Sequence, residues 1–421
     1  MPTVALRSFG LGRNTRANAT HLAPGEARDS LNLYHGFSAQ TAKLRTALDR
    51  VWATRPAAAA TLGVHELVKQ DASTVLLAKL GSVLYTFSLT PATTLTSIKT
   101  GLDADNLPQF ATANGFAFIA DWAAANYVSD GTSAGTNELQ KTAPTGAFTA
   151  ANSAGTAVGN TAATIYVAYA DTDPTTGAES PPCTAVSFSR LADGGTALTN
   201  SSLTFTAPYT TKSFYRTKAG SNQMYRIATG VTAANFASLL GAGNEDSLDT
   251  DLSTVSEVHG SSSLLTSIEK PEAAKHCCFH RGRLFLANLT GSGKASRVRW
   301  SRPLEPTQFS SATTARMDIG KDDGSEITGL VSFRGSLVIF KRNSIWIMNG
   351  DVDENQFVAF PAVTGVGCVA TRTIAKDGNR AIYFLSACGV YSFDLAQALN
   401  VSAKILPDFD TLPYATRQDF F

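Results

Sequence analysis

The sequence predicts an all-β protein, and three observations carry that expectation. Five segments place a Gly step directly before a run of large apolar residues: Gly81-Ser-Val-Leu-Tyr-Thr-Phe, Gly115-Phe-Ala-Phe-Ile-Ala, Gly282-Arg-Leu-Phe-Leu-Ala, Gly335-Ser-Leu-Val-Ile-Phe and Gly378-Asn-Arg-Ala-Ile-Tyr-Phe-Leu. Three of them are followed by a second strand-like run, Ser296-Arg-Val-Arg-Trp-Ser, Ser344-Ile-Trp-Ile-Met and Gly389-Val-Tyr-Ser-Phe-Asp. A turn residue flanked by β-branched and aromatic residues signals a hairpin. Hairpins that recur every few dozen residues signal stacked antiparallel sheets, the pattern of propeller blades. The expected fold is therefore a β-propeller of about five recognisable blades, a set that can fall short of closure, with an inserted β-sandwich domain and an extended N-terminal arm.

Residues 1–60 read as the arm and a short helix. Arg7, Arg13, Arg16 and Arg28 accompany few large apolar side chains in the first 40 residues, which suggests a segment ordered by a neighbour. Leu44, Leu48, Val51 and Trp52 then fall at helical spacing, ended by Arg55-Pro56. Residues 61–136 read as the first propeller part. The Gly anchors step by 34, 167, 53 and 43 residues along the chain. A blade occupies roughly 40 to 50 residues, so the long step holds one blade repeat and an insertion of about 120 residues, near the size of an independent sandwich.

The insertion is placed at residues 137–262. It opens within a Gly, Ser, Thr and Ala-rich stretch, Ser129 to Asn160, that reads as linker or exposed loop. Candidate strands follow at Thr164-Ile-Tyr-Val-Ala-Tyr-Ala, Thr184-Ala-Val-Ser-Phe-Ser, Ser202-Leu-Thr-Phe-Thr, Lys212-Ser-Phe-Tyr-Arg-Thr and Gln223-Met-Tyr-Arg-Ile-Ala. Their period-two alternation argues for strands over helices. Residues 263–421 supply the remaining blades.

Composition excludes several classes. Of 421 residues, 43% are hydrophobic, which suits a folded core rather than disorder. Lys and Arg total 35 against 34 for Asp and Glu, a formal charge of +1, so no global field draws the chain to nucleic acid or an acidic membrane. No stretch approaches the roughly 18 apolar residues of a membrane-spanning helix, and the first residues lack an apolar signal core. Membrane insertion is not expected. Five cysteines, Cys183, Cys277, Cys278, Cys368 and Cys388, form an odd set without framework spacing, which favours buried thiols made in a reducing compartment.

Several motifs resemble the β-propeller structural proteins of tailed bacteriophages, the tail nozzle or tail tubular proteins of short-tailed phages. The resemblance lies in Arg281-Gly-Arg-Leu-Phe-Leu-Ala-Asn with Arg299-Trp-Ser-Arg-Pro-Leu-Glu-Pro-Thr-Gln-Phe, in Ile327-Thr-Gly-Leu-Val-Ser-Phe-Arg-Gly-Ser-Leu-Val-Ile-Phe-Lys-Arg-Asn-Ser-Ile-Trp, and in Gly365-Val-Gly-Cys-Val-Ala with Tyr383-Phe-Leu-Ser-Ala-Cys-Gly-Val-Tyr-Ser-Phe. Through Glu179-Ser-Pro-Pro and Phe214-Tyr-Arg-Thr the insertion resembles the fibronectin type III-like module of such proteins. Near the N-terminus Ser30-Leu-Asn-Leu is present, but only Arg55-Pro56 answers the family's Gly-x-Leu-x-Lys-Arg-Pro-Gly-like segment. The resemblance implies a virion structural component, assembled in the bacterial cytoplasm. It implies a ring of identical subunits, six in number, that contacts a tail adaptor and other tail proteins. Double-stranded DNA would pass through that ring during ejection without specific binding. An enzymatic role is not expected. The alternatives are a propeller enzyme that depolymerises glycan and a virion adhesin that binds host glycan.

The candidate site residues are basic. Arg281, Arg283, Lys294, Arg297, Arg299 and Arg302 form the one basic concentration, and alternation sets Arg297 and Arg299 opposite Val298 and Trp300. They suit a solvated strand face, a contact between subunits or a wall facing DNA. An acidic stretch, Glu245, Asp246, Asp249, Asp251 and Glu257, is a possible counterpart across an interface. His276, Cys278 and His280 would share one strand face, yet no second ligand pair stands at a recognised spacing, so no metal is expected. Gly291-Ser-Gly-Lys294 lacks the spacing of a phosphate loop, and Asp351-Val-Asp-Glu-Asn lacks the Gly and Glu of a calcium hand. Asp171 with Asp173, and Asp322, Asp323 and Glu326, read as solvated turns. No catalytic, cofactor-binding or metal-binding residue is assigned.

Overall fold

The computed structural model describes residues 60–87, 95–122, 125–139, 141–153, 157–175, 179–221, 223–236, 248–252, 258–259, 269–310, 313–350 and 357–403. Nearer the N-terminus it describes the strands Gly12–Arg13, Glu26–Ala27, Leu33–His35 and Ala42–Leu44. The chain is all-β, and among the described residues it forms five blade-type sheets and a sandwich inserted between the second and third. It divides into two compact units, residues 55–319 with 351–355, and residues 1–54, 320–350 and 356–421.

The first unit holds three blades, each a meander whose strands pair antiparallel in chain order. The first comprises Thr61–Val68, Thr74–Leu80, Val83–Phe87 and Thr96–Lys99. The second comprises Gln109–Ala113, Phe116–Ala120, Asn126–Ser129 and Thr136–Glu138. The third comprises Ala274–His280, Arg283–Leu289, Arg297–Arg302 and Glu305–Phe309, with Arg316–Asp318 also pairing on Arg297–Arg302. The second unit carries a fourth blade, Ile327–Phe333, Ser336–Lys341, Ser344–Asn349 and Val358–Thr364. Its fifth is Ala375–Asp377, Ala381–Ser386, Gly389–Phe393 and Ala398–Asn400.

Turn chemistry explains the Gly repeat. Asn114 and Gly115 have φ of 52° and 79°, Arg281 and Gly282 46° and 74°, and Arg334 and Gly335 46° and 77°. Two successive left-handed residues match the right-handed twist of the flanking strands, and the second is Gly because no Cβ opposes that conformation. At Gly115 space also forbids a side chain: a Cβ would lie 2.7 Å from the Gln70 backbone nitrogen. Gly81 differs in position. It joins strands two and three of its blade, whereas Gly115, Gly282, Gly335 and Gly378 join strands one and two, so the first anchor step is short for a reason of register.

Packing follows from strands buried on both faces. Along Phe116–Ala120, Phe118 and Ala120 enter a cluster with Cys277, Leu284 and Leu286 of the third blade, while Ala117 and Ile119 enter one with Leu67, Leu77 and Leu84 of the first. The alternating Cβ directions of a strand make this possible, and they explain why the segment reads as an unbroken apolar run. In the second unit Val338 and Phe340 meet Ile382, Phe384 and Phe393. Phe340 and Phe384 rings stand 5.0 Å apart between centroids.

The insertion is a sandwich of a two-stranded sheet, Phe148–Ser153 with Gly195–Asn200, and a five-stranded sheet. The larger sheet runs Val186–Arg190, Ala163–Thr172, Thr211–Thr217, Met224–Val231 and Val258–His259 in spatial order. Its core contains Phe148, Ile165, Val167, Tyr169, Phe188, Leu198 and Phe214. Two expectations are corrected here. The small-residue stretch read as linker contains Asn126–Ser129 in part, Thr136–Glu138 and Phe148–Ser153, because backbone pairing with Tyr127–Ser129 and with Gly195–Asn200 holds these residues extended whatever their own preference. Ser202–Thr206 is no strand; a single bridge joins Thr206 and Tyr209.

The expected helix near residue 41 is also corrected at its start. Ala42–Leu44 is a strand paired antiparallel with Leu33–His35. The rest of that helix lies outside the described residues.

Blades one and two are joined by a buried ion pair. Lys79, in the second strand of blade one, donates to the Asp121 carboxylate and to the Asn106 carbonyl at 2.7 Å, and both charged side chains are fully buried. Asp121 also accepts the Asp103 backbone N–H at 2.9 Å, so it holds the segment between the blades. Lys79→Met is expected to destabilise the chain by about 3–5 kcal/mol, because a carboxylate would remain buried without its cation. The double variant Lys79→Met with Asp121→Leu should recover most of that loss in urea melts. A single variant as stable as the unchanged chain would refute the assignment.

Candidate functional site: the basic face of the third blade

The candidate residues cluster on the hairpin Arg283–Leu289 and Arg297–Arg302, and most are engaged within the blade. Arg297 makes a bidentate pair with Asp318, at 2.7 and 3.0 Å, across the register Arg297 to Asp318. Arg299 is 1% exposed and binds Glu272 at 2.9 Å and Glu269 at 3.0 Å, with a further bond to the Ser310 carbonyl. Lys294 donates to the other Glu272 oxygen at 2.7 Å. Arg283 is buried and donates to the Ser301 carbonyl at 2.8 Å. Arg281 stands exposed at the left-handed turn, and Arg302 is half-buried at the strand end.

Alternation does set Arg297 and Arg299 opposite Val298 and Trp300, which are both buried. The face that carries Arg299 is nevertheless covered, because Glu269 and Glu272 lie over it. Arg283 and Arg299 are therefore corrected as surface contacts: neither guanidinium is accessible to a phosphate or to a neighbouring subunit. The sequence signal that was missed is Glu269-Lys-Pro-Glu272, a pair of acids flanking a proline just before the blade's first strand.

Glu272 is the hub. Burial pushes its carboxyl up, but the hydrogen bonds from Lys294, its own backbone N–H and Arg299, with the Arg299 charge, outweigh that and hold it at about 2. The Arg297 guanidinium is raised by its hydrogen bonds to Asp318, against a smaller effect of burial.

The acidic stretch has another partner. Asp249 binds Arg190 at 2.6 Å and Arg216 at 2.8 Å inside the sandwich, and accepts the Ala219 N–H at 3.0 Å. Burial raises the Asp249 carboxyl, and these bonds overcome it and hold it far below the usual range. Glu245, Asp246 and Glu257 lie outside the described residues.

The remaining candidates resolve into ordinary structure. His276 shares a 2.9 Å hydrogen bond with Gln109, and the Cys277 thiol packs in the core and donates to the Gln109 carbonyl, so this strand joins blades two and three. Asn126 adds to that junction through the Glu272 carbonyl and the Ala274 N–H. Among the described residues no three His, Cys, Asp or Glu side chains gather as a metal site. Asp171 is buried between Lys141, at 2.9 Å, and Lys212, and Asp173 accepts from Asn137 at 2.9 Å; neither is a solvated turn residue. Asp323 binds Lys341 at 2.7 Å. Of the sandwich tyrosines, Tyr169 and Tyr209 are buried, Tyr225 is half-buried, and Tyr166 is 37% exposed.

No protein-family model matches the chain, and no curated protein matches it. Among solved structures it overlaps YCF48 bound to D1 peptide, at 10% identity and a TM-score of 0.29 over 84% of each chain. It also overlaps the computationally designed Ika8 protein, at 12% identity and 0.24 over 81% of this chain and 86% of that one. Kluyveromyces lactis Hsv2 overlaps at 8% identity and 0.24, over 83% and 77%. Overlap at this level assigns no role to any residue.

The Glu272 hub makes a pH prediction. A carboxyl held low in the folded chain contributes stability fully above its unfolded value near 4.5, and loses it as pH falls toward about 2. Glu272→Gln should lower stability at pH 6 and flatten the acid side of the stability profile between pH 4.5 and 2. Parallel urea melts of both proteins check this; identical slopes in that window would refute the hub.

Proposed function

We propose that this chain is a structural wall element of a phage tail, a nozzle or tubular ring protein around the path of DNA ejection. The observation that carries the reading is the internal engagement of the basic face: Lys294, Arg297 and Arg299 pair with Glu272, Asp318 and Glu269, and Arg283 is buried with its guanidinium on the Ser301 carbonyl. A protein that neutralised six to ten phosphates would hold DNA in a salt-dependent grip. A channel must let the duplex slide, and a chain of formal charge +1 with Arg297 and Arg299 paired to acids suits that demand.

The second support is mechanical. Blades one and two are joined by Lys79 and Asp121, blades two and three by Asn126, His276 and Cys277, and blades four and five by Arg334, which donates to the carbonyls of Asn379, Arg380 and Asp394. Such cross-ties favour a stiff wall over a moving catalytic loop. The resemblance of the blade motifs to phage tail propellers supplies the third support. The partners in this reading are other copies of the chain, the tail adaptor and neighbouring tail proteins.

Immunogold labelling with antibodies to the purified chain, on tailed particles from the source that encodes it, tests the reading. Gold at the tail is the expected result; chain recovered only in the particle-free fraction would overturn it. Deleting residues 1–40 should abolish ring assembly, seen in negative-stain images, while leaving the β circular dichroism spectrum intact. Rings formed without the arm would remove its proposed role in assembly.

A further inference from the structure

The two faces of the fifth blade are covered unequally. Ile382, Phe384, Tyr391, Phe393 and Ala398 share one face and pack in a cluster with Val338 and Phe340 of blade four. The register sets Ala375 beside Tyr383, Tyr383 beside Ser392 and Ser392 beside Leu399, so these four share the opposite face. Leu385 and Val390 form the next row of that face, and Val369 and Ala370 pack against them. The cover stops there. Tyr383 is 37% exposed, Leu399 53% and Val401 52%. Ser392 is small and stands between Tyr383 and Leu399, so the row forms a shallow furrow with apolar walls. Neighbouring apolar side chains left open in this way mark a contact surface.

The course of the chain points to the occupant. The described residues of the blade end at Ala403, two positions past Val401, and the Ser402 hydroxyl accepts the Val390 N–H at 2.9 Å. Residues 404–421 continue from that point and carry Ile405, Leu406, Phe409, Leu412, Tyr414 and Phe420. Their reach is sufficient. The row from Leu399 to Tyr383 spans two strand spacings, about 10 Å, and six extended residues cover about 20 Å, so Phe409 can arrive at Tyr383.

Pro407 and Pro413 decide how such a segment can bind. A proline has no N–H to give a ladder, so the segment suits a sheet face better than an added edge strand. The tether decides between copies. A segment attached a few residues away meets its own blade at an effective concentration on the order of millimolar, which favours it over the same segment of a second chain. We propose that residues 405–409 lie along the open face of blade five in their own chain, with Ile405 and Phe409 against Tyr383, Leu399 and Val401. The contact stands apart from the tail-wall reading and does not require it.

Photo-crosslinking of the full chain with p-benzoylphenylalanine in place of Phe409 tests the proposal. Fragmentation of the crosslinked tryptic peptides should place the attachment at Tyr383 and Leu399, in a band that runs as a single chain. Leu399→Asp should lower the yield about tenfold, because a carboxylate opposes burial beneath the segment. Val401→Asp serves as the second variant should Leu399→Asp fail to fold, with thermal melting as the control. Attachment elsewhere in the chain, or none, overturns the proposal. So does a yield that the folded variants leave unchanged, and so does attachment only between two chains, which would make a second copy the occupant.

Discussion

A lysine ammonium taken out of water must find a carboxylate and further acceptors, or the fold that buries it loses several kcal/mol. Three lysines of this chain meet that demand in the same way. Lys79 holds Asp121 and the Asn106 carbonyl, Lys212 holds Asp171, and Lys341 holds Asp323 and the Gly320 carbonyl at 2.9 Å. In each case the ammonium comes from within a strand and its partner from a distant segment. Replacing such a pair by well-packed apolar groups is often neutral for stability, so its consequence is better sought in register. A strand displaced by one residue would turn its ammonium to the opposite face and leave both charges unmatched. The pairs therefore penalise wrong strand register more than they stabilise the correct one.

That penalty matters because apolar packing discriminates poorly here. Phe116–Ala120, Arg283–Leu289 and Ser336–Lys341 are buried on both faces over most of their length. A one-residue slip in a strand with one buried face exposes its apolar residues, whereas a slip in these strands exchanges one apolar set for another. Left-handed turn pairs such as Asn114 with Gly115 supply the second constraint, since a two-residue loop fixes the pairing of the strands it joins. Turn and ion pair together specify what the apolar run leaves open.

The same distinction explains what was legible in the sequence. Hairpins announced by a Gly before a dense apolar run, at Gly115, Gly282, Gly335 and Gly378, fall where the spacing places them, because local turn chemistry carries the signal. Gly81 also marks a hairpin, but one strand later in its blade. In its place the first hairpin turns through Lys69 to Ser73 with Ala72 left-handed at φ 61°, a turn with no Gly to read. Phe148–Ser153 and Gly195–Asn200 were hidden because Ala, Asn, Ser and Gly, which carry little strand preference, dilute their Thr residues, and the packing of Phe148 and Leu198 into the sandwich core overrides that weak signal. At the basic face the arginines were visible and their partners were not, since Glu269 and Glu272 reach Arg299 from 30 and 27 residues away.

The electrostatic outcome follows from that last point. A local count of the third blade suggests a cationic surface, yet each nearby carboxylate that folding brings to an arginine removes one charge from what a distant phosphate can feel. Exposed pairs would remain soft, screened and exchangeable. The Arg299 pairs are different, because the guanidinium is almost wholly buried while Glu269 remains 49% exposed at its side chain. The carboxylates thus form the outer layer and the cation the inner one. The layering is particular to Arg299: Lys294 keeps 32% of its side chain exposed against 20% for Glu272, and Arg297 and Asp318 are exposed alike.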